Sequence, residues 1–125
     1  MTDQIKVLLV DDDERNIFAL KAYLKAKKII VETASDGKEC LEKLRQIEVD
    51  VVLLDMMMPV MDGFETLGIL RKDDQLKNNK AIALTALAMK GDMERCIEAG
   101  ADDYCTKPID IDVLINKIKY LINKG

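Results

Sequence analysis

The sequence predicts an α/β sandwich, a parallel sheet with helices on both faces, on the strength of three observations. Five short apolar segments recur along the chain, at 6–10, 29–33, 51–55, 81–85 and 103–106. Stretches with helical spacing of apolar residues fill the gaps between them. Three of the segments, "KVLLV", "VVLLD" and "AIALT", are unbroken apolar runs rather than alternating ones, as strands are when both faces of their sheet are covered. A repeating strand–helix order with short connections leaves few other architectures.

Each element has its own signal. The first strand, 6–10, ends at Asp11-Asp12-Asp13, and Ile17, Leu20 and Leu24 stripe the helix that follows. The second, "IIVET" at 29–33, turns polar at its end, which suits a sheet edge. Asp36 reads as the next N-cap, with Glu39 in the capping-box position and Cys40, Leu41, Leu44 and Ile47 as the covered stripe. The third strand, 51–55, runs straight into Asp55. Pro59 lacks an N–H and pushes Met58 out of the helical region, so the chain after Asp55 stays an extended loop. Asp62-Gly63 then supplies the turn and cap for a helix striped by Phe64, Leu67 and Leu70. The fourth strand, 81–85, ends at Thr85. Met89, Met93 and Cys96 or Ile97 stripe the fourth helix, which Gly100 ends. "DYCT", 103–106, has little strand character, and only its place in the series supports it. After Lys107-Pro108 the last helix runs from a cap at Asp110 through Ile111, Leu114, Ile118 and Leu121 or Ile122.

Composition narrows the function classes. The 125 residues suit one domain, expected to span 1–125. A formal charge of -4 offers nucleic acid no global attraction. Cys40, Cys96 and Cys105 have no CxxC spacing, and the chain contains no histidine. That argues against a disulfide framework, a zinc site, a His-based triad and a histidine phosphodonor. "MTDQIK" is no secretory leader, and the apolar runs fall far short of a bilayer's width, so the cytoplasm is the expected location. Met56, Met57, Met58 and Met61 read as pliable core and loop packing.

In open parallel sheets, ligands sit outside the carboxyl ends of the strands. Those ends here carry Asp11-Asp12-Asp13, Asp55, Thr85 and Lys107-Pro108. The three adjacent acids include an N-cap and an acidic first turn, but they exceed what a cap needs. If Asp55 joins them, like charges crowd at a cost that a divalent cation removes. Carboxylates, a carbonyl and waters suit Mg²⁺ or Mn²⁺. Lys107 is either a surface charge paired to an acid or a point charge for a phosphoryl group. Thr85 either caps a helix or donates to a phosphoryl oxygen. Pro108 is either a trans turn or a cis bond that aims Lys107. Together these groups form a site for phosphoryl transfer with Asp55 as nucleophile. Two other readings stand beside it. One is a Mg²⁺-dependent aspartyl phosphatase or hydrolase, which wants a second carboxylate as acid/base and a substrate pocket. The other is a phosphorylation-independent interaction module whose acids only bind metal.

With "LLVDDD" 8–13, "LLDMMMPVMDG" 53–63, "ALTA" 83–86 and "YCTKP" 104–108, essentially the whole chain resembles a response-regulator receiver domain of two-component signalling. The resemblance implies a doubly wound, flavodoxin-like sheet in strand order 2-1-3-4-5. It implies transfer of a phosphoryl group from a phosphohistidine to an aspartate, with Mg²⁺ required. By position, Asp55 matches the phosphoacceptor. Asp12 would contact the metal directly, Asp11 mainly through water, and the Met57 backbone carbonyl would be the third protein ligand. Thr85 matches the hydroxyl that turns toward the phosphoryl group and Lys107 the cation. Ala86 matches a small residue beside the acceptor, Tyr104 the aromatic that moves inward, and Pro108 the proline after a cis bond. Asp13 stands where Asn or another polar residue is common, and is assigned a cap or surface role.

Met57 and Leu87, two beyond Asp55 and Thr85, occupy positions that tune water access in the family. Both are apolar, so slow self-hydrolysis is expected. Residues 86–104 particularly resemble single-domain cell-cycle regulators and hybrid-kinase receivers. The implied partners are a histidine kinase or a histidine phosphotransfer protein as donor and a downstream protein target. Nucleic acid and membrane are not expected partners, and the oligomeric state is a monomer or weak dimer. A signalling switch is expected, rather than an enzyme, although one that catalyses its own phosphorylation and dephosphorylation. The initial methionine and the immediate first strand favour a complete single-domain regulator, with no DNA-binding output segment.

Overall fold

A computed structural model describes residues 4–86 and 89–124. Its strands are β1 (Lys6–Val10), β2 (Ile30–Ala34), β3 (Val51–Asp55), β4 (Ala81–Thr85) and β5 (Asp103–Thr106). All neighbours pair in parallel, in the order β2-β1-β3-β4-β5. The helices alternate with them: α1 (Glu14–Ala26), α2 (Gly37–Leu44), α3 (Gly63–Lys72), α4 (Lys90–Ala99) and α5 (Ile111–Lys124).

The unbroken apolar runs have a direct cause. Leu8, Val10, Val52 and Leu54 face a core completed by Leu41, Leu67, Leu70 and Cys96 of α2, α3 and α4. Val7, Leu9, Val51 and Leu53 face the other side, against Leu24 of α1 and Leu114, Ile118 and Leu121 of α5. Successive strand residues point to opposite faces, and helices cover both. Each such side chain contributes about 1.5–3 kcal/mol on burial.

Four expectations shift at element ends. The second strand starts at Ile30 rather than 29. Lys28 takes a positive φ of 65°, and the Ile29 amide is spent on the Leu24 carbonyl at 3.1 Å, closing α1 in a Schellman-type turn. Pairing begins one residue later, with the Ile30 amide on the Ile5 carbonyl at 2.8 Å. Ile47 falls outside α2, because the Arg45 and Gln46 amides bond back to Glu42 and Lys43 and tighten the last turn. Glu39 does not close the expected box. Its carboxylate accepts from the Ser35 amide at 2.6 Å and hydroxyl at 3.0 Å, while Asp36 caps the Glu39 amide at 2.7 Å. Met89 is the N-cap residue of α4 and 75% exposed, so the buried stripe there rests on Cys96, with Ile97 45% exposed.

The remaining caps fall as expected. Asp62 accepts from the Glu65 amide to start α3, Asp110 accepts from the Asp112 and Val113 amides before α5, and Gly100 ends α4 at φ 120°. At the edge strand β2, the Lys43 ammonium donates to the Thr33 carbonyl, covering part of an otherwise open ladder. Among the described residues, no helix is long and apolar enough to cross a membrane.

Candidate functional site

Parallel register builds the site. Val10 lies beside Leu54, Asp55 beside Leu84, and Thr85 beside Thr106. Asp11, Asp55, Thr85 and Lys107 are therefore carried to one edge of the sheet by four adjacent strands. The three leading acids divide their work. Asp13 caps α1, accepting from the Arg15 amide at 2.9 Å and pairing with its guanidinium at 3.2 Å. Asp11 is held in place, with its amide on the Ala34 carbonyl at 3.1 Å and one carboxylate oxygen accepting from the Asp13 amide at 2.9 Å. One carboxylate oxygen from each of Asp11, Asp12 and Asp55 lies within 4.8 Å of the others. Asp11 and Asp55 are each only 3% exposed, whereas Asp12 faces solvent.

Lys107 enters this cluster from the end of β5. Its Nζ lies 3.2 Å from Asp55 Oδ1 and 3.9 Å from Asp11 Oδ2. The Lys107 amide donates to the Thr85 carbonyl at 2.8 Å, and the Lys107–Pro108 bond is cis. Burial pushes the Asp11 carboxyl above its ordinary value. The Asp13 amide pulls it back, the Asp55 charge raises it, and Lys107 and Asn16 lower it. Three converging carboxylates against one close ammonium leave an excess of negative charge. Every side-chain donor in the cluster is oxygen, a set that fits Mg²⁺ or Mn²⁺ and fits zinc poorly.

The other expected residues surround this centre. Thr85 is fully buried at the end of β4. The Met57 amide donates to Asp55 Oδ1 at 3.1 Å, which places the Met57 backbone against the carboxylate. Its side chain is 56% exposed, unlike the buried Met56 and Met58, so packing does not account for it. Pro59 and Ala86 are exposed near the mouth. Tyr104 is half-buried on β5, in a groove of about 460 Å³ lined by Lys90, Met93, Glu94, Ile97 and Glu98. The expectation for Leu87 lies outside the described residues.

Two contributors were not found by sequence reasoning. Gly63 lets α3 start against the strand end, since a Cβ there would stand 2.6 Å from the Met56 Cα and 3.0 Å from the Asp55 carbonyl oxygen. The Asp62-Gly63 turn signal pointed to the position without the close approach. Lys117 of α5 lies 4.9 Å from the Tyr104 ring centroid and 3.1 Å from Asp103 Oδ1. That contact joins residues far apart in the chain, and no local pattern announces it.

Known proteins resemble this chain along most of its length. The family model described as the response regulator receiver domain matches residues 7–119. The chain is 39% identical over 116 residues to the response regulator PleD of Caulobacter vibrioides, covering 93% of this chain but 26% of PleD. It thus spans about a quarter of that relative's length. It is 34% identical to the polar-differentiation response regulator DivK of Brucella anthropi, covering 90% of this chain and 92% of DivK.

Solved structures agree. The Francisella response regulator 1452 receiver domain superposes with a TM-score of 0.89 at 37% identity, covering 97% of this chain and 98% of that one. The receiver domain of sensor histidine kinase PA1611 from Pseudomonas aeruginosa, solved with magnesium coordinated in its active site cleft, gives 0.87 at 30% identity over 97% of this chain and 99% of that one. The receiver domain of Saccharomyces cerevisiae Ssk1, solved with the histidine phosphotransfer protein Ypd1, gives 0.83 at 26% identity over 95% of this chain and 89% of that one. A family match over residues 7–119, with the same fold in each neighbour, leads to one conclusion: this chain belongs to the response regulator receiver domain family of two-component signal transduction.

Proposed function

We propose that the chain is a phosphoryl-accepting switch that takes its phosphoryl group onto Asp55 from a phosphohistidine of a histidine kinase or histidine phosphotransfer protein. The observation that carries this reading is the buried Asp55 carboxylate with the Lys107 ammonium 3.2 Å away. A nucleophile and a cation at the mouth of a parallel sheet suit transfer of a phosphoryl group, whose transition state needs positioning and charge stabilisation more than bond-making by the protein. The Ssk1 receiver's complex with a histidine phosphotransfer protein supports the nature of the donor, and the magnesium in the PA1611 receiver supports the metal.

An Asp55 oxygen attacks phosphorus as the bond to the donor's imidazole nitrogen breaks. The electron pair leaves with the imidazole, and an acyl phosphate remains on Asp55. Lys107 balances charge on the transferring oxygens, and the Thr85 hydroxyl turns to donate to one of them. Mg²⁺, held by Asp12, Asp55 and the Met57 carbonyl, with Asp11 acting through water, would supply the Lewis-acid charge that this acidic cluster lacks. Tyr104 then moves toward the space beside Thr85, changing the α4–β5–α5 surface offered to a downstream protein. The chain acts as a switch and turns over no free substrate. The apolar Met57 brings no amide or carboxylate to aim a water at the acyl phosphate, which favours a long-lived modified state.

Intact-mass analysis after incubation with acetyl phosphate tests this reading, with and without Mg²⁺ and beside Asp55→Asn. One added phosphoryl group that requires both metal and Asp55 is expected. An adduct on Asp55→Asn, or none under any condition together with no beryllofluoride binding, would sink the reading. Loss of the adduct within seconds would count against the long lifetime.

A further inference from the structure

Tyr104 and Lys117 meet across the edge of the sheet. β5 is the last strand in the order, so no strand among the described residues pairs with its outer side. Tyr104 packs against the core on the α4 face. Lys117 belongs to α5, whose buried residues pack on the opposite face. Its side chain reaches round the edge, with Nζ 3.1 Å from Asp103 Oδ1 and 4.9 Å from the centroid of the Tyr104 ring. Both members of the Lys117–Asp103 pair are about a quarter exposed, so the ammonium is partly desolvated where it meets the ring. A cation at this distance is attracted to the electron-rich face of an aromatic ring.

We infer that Lys117 is a positioning residue that holds the Tyr104 ring at the outer edge of β5, with Asp103 aiming the ammonium, and so sets the resting population of the switch. This rests on the proposed role of Tyr104. Tyr104 lies beside Ala83 in register, and Thr85 is two residues along the same face of β4. Strands about 4.8 Å apart that rise about 3.3 Å per residue put these two side chains within reach of an aromatic ring. A ring that turned toward Thr85 would leave the ammonium behind. The contact therefore exists in only one of the two ring positions. An interaction made in one state alone biases the equilibrium toward that state. Lys117 thereby opposes inward movement until phosphorylation draws Thr85 away and opens the space.

NMR of protein labelled at tyrosine rings and threonine methyls tests this, with Tyr104→Phe for assignment. In the unmodified protein, Lys117→Met keeps the aliphatic stem and removes the charge. Contacts between the Tyr104 ring and the Thr85 methyl should strengthen several-fold. Asp103→Asn should move them the same way by less, and Lys117→Arg should restore the parent pattern. Unchanged ring contacts in Lys117→Met would overturn the inference, as would the same change in Lys117→Arg, which would assign the effect to packing. Beryllofluoride added to the parent protein separates the underlying reading. If it leaves Tyr104 unmoved, the proposed switch fails. The positioning role is still decided by the Lys117 variants alone.

Discussion

Burial and the nearby Asp55 charge both raise the Asp11 carboxyl, while the Asp13 amide, Lys107 and Asn16 pull it back. A carboxyl raised in the folded state binds protons there that the unfolded chain has already lost. Its contribution to stability is thus largest at low pH and falls as pH rises from the ordinary value of 3.8 through the raised one. At neutral pH the folded protein carries this cost in full. Asp11→Asn should therefore raise the Tm of metal-free protein by a few degrees and reduce any further rise that Mg²⁺ gives the parent. Thermal unfolding at pH 7 with EDTA and with Mg²⁺ measures both. A lower Tm without metal would mean that the Asp13 amide bond to Asp11 outweighs the crowding of charge.

At the scale of elements, α3 offers a controlled pair. Glycine is worse than alanine inside a helix by about 1 kcal/mol, so Gly→Ala stabilises wherever there is room. Gly68 has nothing within 4 Å of an added Cβ, whereas Gly63 faces backbone at 2.6 Å. Overpacking costs about 1–3 kcal/mol, and a backbone neighbour cannot swing aside. Gly68→Ala is expected to stabilise by up to about 1 kcal/mol. Gly63→Ala is expected to destabilise by about 1–3 kcal/mol and to slow phosphorylation, because the clash lands on Met56 and the Asp55 carbonyl. Urea unfolding of both variants, with acetyl-phosphate labelling rates, checks the contrast. Equal effects would show that the α3 start yields. Sequence periodicity gave the stripe of α3 but not this difference, since spacing shows which face is covered and not how close the covering atoms come. The same blindness explains Ile47 and Met89. Their spacing continued a stripe, but hydrogen bonds at the helix ends had already decided where α2 stopped and where α4 began.

Across the whole molecule, the legible part was the part written locally. Strand ends, caps and the Asp11, Asp55, Thr85 and Lys107 positions lie in short motifs, and parallel register carried them to one edge. "DYCT" was the poorest strand signal and still pairs with β4 along its length, because an edge strand needs only one neighbour and four residues hold little periodicity. What stayed hidden was packing in three dimensions: Lys117 on Tyr104, the Gly63 approach, and the exposure of the Met57 side chain beside a buried carboxylate. The burial gradient across the sheet has a further consequence, in hydrogen exchange. β3 and β4 are buried at every residue, whereas β2 and β5 are each buried at one. Amides of β3 and β4 should exchange only through global unfolding, and those of β2 and β5 through smaller openings. Mass-resolved exchange of the native protein would show it, and uniform protection across the five strands would refute it. The phosphoryl group would then be received on the part of the backbone that opens least often. Its presence would be reported by β5, an edge strand set off from β3 by β4, which opens on its own, so the message can be read without disturbing the element that stores it.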